Sequence, residues 1–173
     1  ASAELGWNHQ LYLTLTGRND WDSKLAFTSK GSYFYPSVGL SWVVSESFKL
    51  PEPISYLKVR GSWAEVASAP SRYLTLMQYT YNEQTNTYEY PSTHYNTDLK
   101  PENTKSWEFG VNAKLWKNRI NVDLTWYKSN TFNQTFYVDA SASSGYKKNI
   151  VQTGNIQNKG IELAVGYTDT FNK

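Results

Sequence analysis

No cysteine occurs among the 173 residues, and histidine appears only twice. A disulfide framework and thiolate metal sites are therefore excluded, and a histidine metal centre is short of ligands. Charge of one sign is lacking too: the net charge is +2, without the basic stripe that nucleic acid requires. Long hydrophobic runs are missing and the mean hydropathy is negative, which rules out a transmembrane helix. A transmembrane strand passes the same test, because alternation halves its apolar signal. Residues Ala1 to Leu5 have no charged-then-apolar targeting pattern, so any such segment is expected outside this chain. Internal repeats, linkers and charge blocks are absent, and one segment, 1–173, is expected.

What the chain does have is aromatic surface and rhythm. Aromatics make up 16% of the residues, with tyrosine commonest. From Trp107 to Leu115, Trp107, Phe109, Val111, Ala113 and Leu115 fall on one face, and Glu108, Gly110, Asn112 and Lys114 on the other. After Lys117 and Asn118 the alternation resumes with Ile120, Val122, Leu124 and Trp126 against Asn121, Asp123, Thr125 and Tyr127. Period two on two arms joined by an Asn-containing turn predicts an antiparallel hairpin. Its second arm continues, more weakly patterned, through Phe132, Phe136 and Val138. The same rhythm predicts strands at 11–16, 38–44, 57–64 and 161–167, the last beginning as early as Ile150. Gly17 to Asp22 reads as a break leading into a polar loop, and Pro51 and Pro53 exclude a ladder between Ser45 and Ile54. Residues 67–104 lose the rhythm altogether and form a long tyrosine-rich connection, far beyond the usual ~4–6 residues.

About six up-and-down strands result, with long and short connections alternating, as in outer-membrane barrels. The expected fold is all-β, antiparallel strands forming part of a large transmembrane β-barrel. Trp63, Trp107 and Trp126 are expected near the long-loop end, and Trp42, Trp116 and Tyr167 near the short-turn end, as two aromatic girdles. A soluble β-sandwich that binds glycans through exposed aromatics is the alternative, and it too would alternate.

The wording of the chain points to a family. Tyr33-Phe34-Tyr35-Pro36-Ser37-Val38-Gly39-Leu40-Ser41-Trp42, followed by Ser45-Glu46-Ser47-Phe48, resembles the FFPSVSLGW…SEE strand of SusC/RagA-type TonB-dependent transporters. Leu57 to Trp63 is similar to their LKLRASYG strand, and Leu99 to Gly110 to their LKPEKTTxxExG segment. Asn158-Lys159-Gly160-Ile161-Glu162-Leu163 matches their NKGIEL strand. Ala64-Glu65 departs from the family's Gly-rich strand end, and the tyrosine-rich segment does not align. The resemblance implies a barrel of about 22 strands with a plug in its lumen, the plug lying outside this chain. It further implies a bacterial outer-membrane location, TonB-energised import of oligosaccharides or peptides, a SusD-like surface lipoprotein as lid, no cofactor, and no enzymatic activity. An outer-membrane hydrolase finds no nucleophile–base set in the sequence.

Candidate contacts with substrate or lid are Tyr79, Tyr81, Tyr88, Tyr90 and Tyr95, since tyrosine offers flat apolar area and a hydroxyl at low entropic cost. The competing expectation is that these rings pack the loop onto itself. Lys58, Arg60, Glu108, Asp123 and Glu162 are expected to line a water-filled lumen, as a salt-bridge network along the wall or against the plug. His94 lacks a clustered partner, and nothing in the sequence pairs Asp98, Glu102 and Glu108 as acid and base.

Overall fold

The computed structural model describes residues 1–26, 28–29 and 31–169. In chain order the elements are β1 (Ser2–Trp7), β2 (Leu11–Trp21), β3 (Ser32–Val43), the single turn α1 (Val44–Ser47) and β4 (Ile54–Ser68). They continue with β5 (Thr80–Asn82), β6 (Thr87–Glu89), β7 (Thr93–His94), β8 (Glu102–Leu115), β9 (Ile120–Asp139) and β10 (Lys148–Tyr167). One sheet runs in the order β1-β2-β3-β4-β8-β9-β10-β7, antiparallel throughout except for the short parallel pairing of β7 with β10. β5 and β6 form a separate hairpin inside the long connection.

Several strands run longer than the sequence expectation: β3 begins at Ser32, β4 spans Ile54–Ser68 and β8 begins at Glu102. β1 is an additional strand: Ala3, Leu5 and Trp7 alternate with Ser2, Glu4 and Gly6 over a span too short to stand out. β2 does not end at Gly17 but runs to Trp21, pairing with β3 as far as Ser32. Period two in fact survives the polar residues there, with Arg18 and Asp20 continuing the face of Thr14 and Thr16. Both tight turns at the short-connection end have the geometry a twisted hairpin needs. Asn8 and His9 have φ of 50° and 56°, closed by Gln10 N–H to the Trp7 carbonyl at 2.9 Å. Lys117 and Asn118 have φ of 57° and 69°, closed by Arg119 N–H to the Trp116 carbonyl at 3.3 Å.

The register assigns every side chain to a face. Trp42, Val59, Val111, Leu124 and Leu163 face one another across five neighbouring strands, as do Leu40, Gly61, Phe109, Trp126 and Ile161 two residues further along. This face is apolar and open: Phe109 is 51% and Leu163 64% exposed. No second layer of the described residues covers it, so the stacked sandwich is not the architecture. The few buried apolar side chains, including Leu25, Leu74, Leu99 and Ile150, belong mostly to the loops.

The apolar band crosses the hydrogen-bonded rows obliquely. On β8 it runs from Leu115 to Trp107, and on β9 and β10 it ends at Trp126 and Ile161, one row lower. On β3 and β2 the outward aromatics climb beyond that row, to Phe34 and Trp21. A level band on tilted strands produces this staircase. Eight residue steps on β8 cover about 27 Å along the strand, or about 20 Å across it at ~45° tilt, most of the roughly 25 Å apolar band of an outer-membrane barrel. Trp63, Trp107 and Trp126 mark its upper edge, and the strands continue past them toward the long loops. Trp42, penultimate in β3, and Trp116, in the β8–β9 turn, mark the lower edge.

Candidate functional site

On the opposite face, Arg60 of β4 reaches across β8 to β9. Its Nη1 and Nη2 donate to the two carboxylate oxygens of Asp123 at 3.2 Å each, and Nη2 also donates to Thr125 Oγ1 at 2.7 Å. Asn112 Nδ2 donates to the same carboxylate at 3.2 Å, and Glu108 Oε1 lies 3.6 Å from Arg60 Nε. The reach depends on Gly110, which lies between the two strands. A Cβ there would come within 2.5 Å of Arg60 Nε, so only glycine lets the side chain lie flat over β8. A fork-to-fork pair of this kind fixes geometry as well as charge. Both side chains remain about one-third exposed, so its contribution is at most about 1 kcal/mol.

Of the five residues expected on this face, Arg60, Asp123 and Glu108 are joined into one cluster. Lys58, opposite Asn112, and Glu162, opposite Thr125, share the face without an ion pair among the described residues. Arg60, Ser62, Glu108, Tyr127, Ser129 and Glu162 help line a groove of about 440 Å³. Tyr127 lies flat over Gly160, where a Cβ would come within 2.7 Å of the phenolic oxygen. Charged and hydroxylated side chains thus form a shallow polar wall.

A second polar cluster lies on the upper half of β2, beyond the Gly17 break expected from the sequence. Arg18 Nε donates to Asp20 Oδ1 at 2.7 Å, the Tyr35 hydroxyl donates to the other oxygen of Asp20, and Tyr33 stacks on Tyr35. The signal that would have revealed it is the unbroken alternation from Thr14 to Trp21.

The long connection folds into a crown over the upper strand ends. Tyr81 and Tyr88 pair across the β5–β6 hairpin with ring centroids 5.1 Å apart, and Tyr79 meets Tyr90 edge-on at the same distance. Spaced two residues apart on each strand, the four rings occupy one face, and Tyr88 and Tyr90 are each 73% exposed. Tyr81 Oη donates to Asn86 Oδ1 at 2.7 Å, holding its ring in place. The Tyr90 hydroxyl keeps the Tyr79 phenol above its ordinary pKa. Tyr95 is different. It packs half-buried against the loop core of Leu74, Leu99 and Ile150, so it supports the crown and does not belong with the exposed four.

The crown is stitched to the wall at separate points. β7 pairs with the start of β10, and the Ser92 carbonyl accepts from Lys147 N–H at 2.7 Å. The Gln152 side chain accepts from Lys100 N–H at 2.7 Å and donates to the Lys100 carbonyl at 2.6 Å, imitating a strand partner. Asp98 accepts from the Ser29 hydroxyl at 2.5 Å, tying the two long loops together. That hydroxyl first, and the Ser29 N–H second, hold the Asp98 carboxyl below the ordinary carboxylate range. Glu102 accepts from Thr135 N–H at 3.1 Å while Glu108 faces Arg60, so Asp98, Glu102 and Glu108 serve three separate contacts and form no acid–base pair. His94 rests against the Tyr146 ring at 5.0 Å, and no metal-binding cluster occurs among the described residues.

Comparison with known proteins gives a consistent picture. Residues 1–172 match the family described as TonB dependent receptor-like, beta-barrel. The chain is 30% identical over 176 residues to TonB-dependent receptor P26 of Formosa agariphila, covering 92% of this chain and 17% of that relative. It is 26% identical over 169 residues to TonB-dependent receptor P3 of the same organism, again covering 17% of the relative. Among solved structures it superposes on the RagAB peptide importer in its open-open state with a TM-score of 0.86 at 23% identity, over 99% of this chain and 19% of that one. The siderophore receptor PirA from Acinetobacter baumannii matches with a TM-score of 0.64 at 21% identity, over 96% of this chain and 24% of that one. The chain spans about one-sixth of the length of the curated relatives it matches.

Proposed function

Because the chain belongs to the TonB-dependent receptor-like β-barrel family, whose members are outer-membrane proteins, we propose that it is wall and crown of a transporter importing bulky nutrients. On this reading residues 1–173 are one segment of the receptor's barrel domain. The apolar face of β2–β4 and β8–β10 meets lipid, and the Arg60–Asp123 face lines the lumen. TonB acts on the receptor through parts beyond these residues. The family is one of receptors and transporters, and the chain's role in it is transport rather than catalysis.

The observation that carries the reading is the two-sidedness of a single sheet. One face exposes a continuous aromatic-edged apolar band, and the other a polar wall of Arg60, Glu108, Asp123 and Glu162. In water such a band would aggregate; against lipid it is the stable arrangement. Lys58, Arg60, Glu108, Asp123 and Glu162 then face water or the plug. Tyr79, Tyr81, Tyr88 and Tyr90, at the long-loop end, are the contact surface for cargo or for a SusD-like lid. Oligosaccharides and peptides are the cargo classes that a row of exposed phenols suits, through ring stacking and hydroxyl hydrogen bonds. The peptide importer RagAB is the solved relative that favours the second class.

The test uses the full-length receptor with its lid. Tyr88→Ala with Tyr90→Ala is expected to weaken binding of oligosaccharide or peptide cargo roughly tenfold in calorimetry, at ~0.5–1.5 kcal/mol per lost aromatic contact. Unchanged cargo and lid affinity would remove the tyrosines from the contact surface. Uptake by intact cells that persists without TonB would remove the transport reading itself.

A further inference from the structure

Two lysines on the outward face stand directly opposite each other: Lys128 of β9 and Lys159 of β10. Like charges in that relation repel, and neither has a carboxylate partner among the described residues. Their position is specific. Lys128 lies beside Trp107 in the register and two residues beyond Trp126, and Lys159 lies two residues beyond Ile161. Lys105 continues the line, two residues beyond Trp107 on β8. All three therefore sit on the first outward step above the apolar band. The one nearby carboxylate is Glu65, 3.8 Å from Lys105 and also bonded by Asn103 Nδ2 at 2.5 Å. The next outward positions, Asn130 and Gln157, are uncharged, and Asn130 is engaged with Asn155 at 2.8 Å. Among the described residues, no carboxylate on this side of the sheet pairs with Lys128 or Lys159.

The geometry points to a phosphate-bearing lipid headgroup of the outer leaflet as the partner of this lysine rim. A lysine stem can lie along the apolar band while its ammonium stays at the headgroup level, and a phosphate placed between two such ammoniums turns repulsion into attraction. Trp107 and Trp126 beneath the pair supply amphipathic rings at the depth where acyl chain meets headgroup. The charge asymmetry favours an anion over a zwitterion, and the continuity with the apolar band favours a lipid over a free ion.

The full-length receptor, purified in detergent, is titrated with phosphatidylglycerol or phosphatidylcholine and read by native mass spectrometry. Phosphatidylglycerol adducts are expected to exceed phosphatidylcholine adducts, and Lys128→Gln with Lys159→Gln to lower them by about 25-fold, about fivefold per lysine. Lys117→Gln, at the opposite end of the wall, is expected to leave them unchanged. Heat-modifiable gel migration reports barrel folding, and if the double variant does not fold, Lys159→Gln alone must still show the fivefold loss. Equal retention of the two lipids, or anionic adducts untouched by the substitutions, would overturn the inference. So would displacement of phosphatidylglycerol by millimolar inorganic phosphate, which would make the rim a free-anion site.

Discussion

In the wall, Phe109 leaves half its surface open and stacks on Trp126, 5.8 Å away on the neighbouring strand; in the crown, Leu99 is wholly buried beneath Leu74 and Ile150. The wall is held by backbone ladders between consecutive strands and leaves its apolar side chains to the membrane. The crown has few ladder bonds and builds a small conventional core, with side chains such as Gln152 replacing missing strand partners. The difference shows that one chain answers two solvents. Where lipid is outside, apolar residues point outward and polar residues pair within, as Arg60 does with Asp123. Where water is outside, apolar residues retreat inward and tyrosines take the surface.

Substitutions can break this comparison, and the largest effect is expected in the wall. Val111→Arg, in the middle of the apolar band, should destabilise the complete barrel by ~2–4 kcal/mol, whereas Asn112→Arg, on the other face, should be tolerated. Urea unfolding of the full-length receptor in lipid vesicles, followed by tryptophan fluorescence, measures both, and similar losses would contradict the two-solvent assignment. A smaller effect is expected from Gly110→Ala, which pushes Arg60 off Asp123 and should cost about 1 kcal/mol in the same assay. Gly166→Ala, whose Cβ would meet nothing nearer than 4.0 Å, serves as its neutral counterpart.

The crown should respond locally. Gln152→Leu removes both bonds to Lys100, worth about 1 kcal/mol, and should speed amide exchange at residues 93–100 while leaving the β8–β9 ladder protected. Faster exchange throughout the wall would mean that the two regions unfold as one unit. The smallest effect concerns pH. The Asp98 carboxyl is held below its ordinary value, so its contact with Ser29 stabilises the loop-to-loop junction above the ordinary carboxylate range and is lost as pH falls through the lowered value. Protection of the Thr28 and Ser29 amides, taken relative to their intrinsic exchange rates at each pH, should therefore fall on acidification, and Asp98→Asn should remove that dependence.

Legibility in the sequence follows the same division. The faces of β4, β8, β9 and β10 were readable because period two places Val59, Val111, Leu124 and Leu163 on one side whatever their partners are. The turn at Lys117–Asn118 was readable because positive φ at both central positions favours asparagine. The upper half of β2 was missed because Gly17, Asn19 and Asp20 are turn formers, and their cross-strand partners Pro36, Phe34 and Tyr33 overrule that preference. In the candidate site, Arg60, Glu108 and Asp123 share one face as their period-two positions require, while Tyr95 packs apart from the exposed tyrosines. Nothing local distinguishes Tyr95 from Tyr90; the neighbours that bury it are Leu99 and, far along the chain, Ile150.

By itself, the sequence determined that this chain makes ribbons with one greasy and one wet side, in up-and-down order, with long connections at one end. That information is local, carried by alternation and turn residues within a few positions. The tertiary structure alone decided that Arg60 crosses Gly110 to reach Asp123, that Lys128 faces Lys159, and that Gln152 fastens the crown at Lys100. Each of those contacts joins residues on different strands or loops, and only strand register, accumulated across the sheet, brings them within bonding distance.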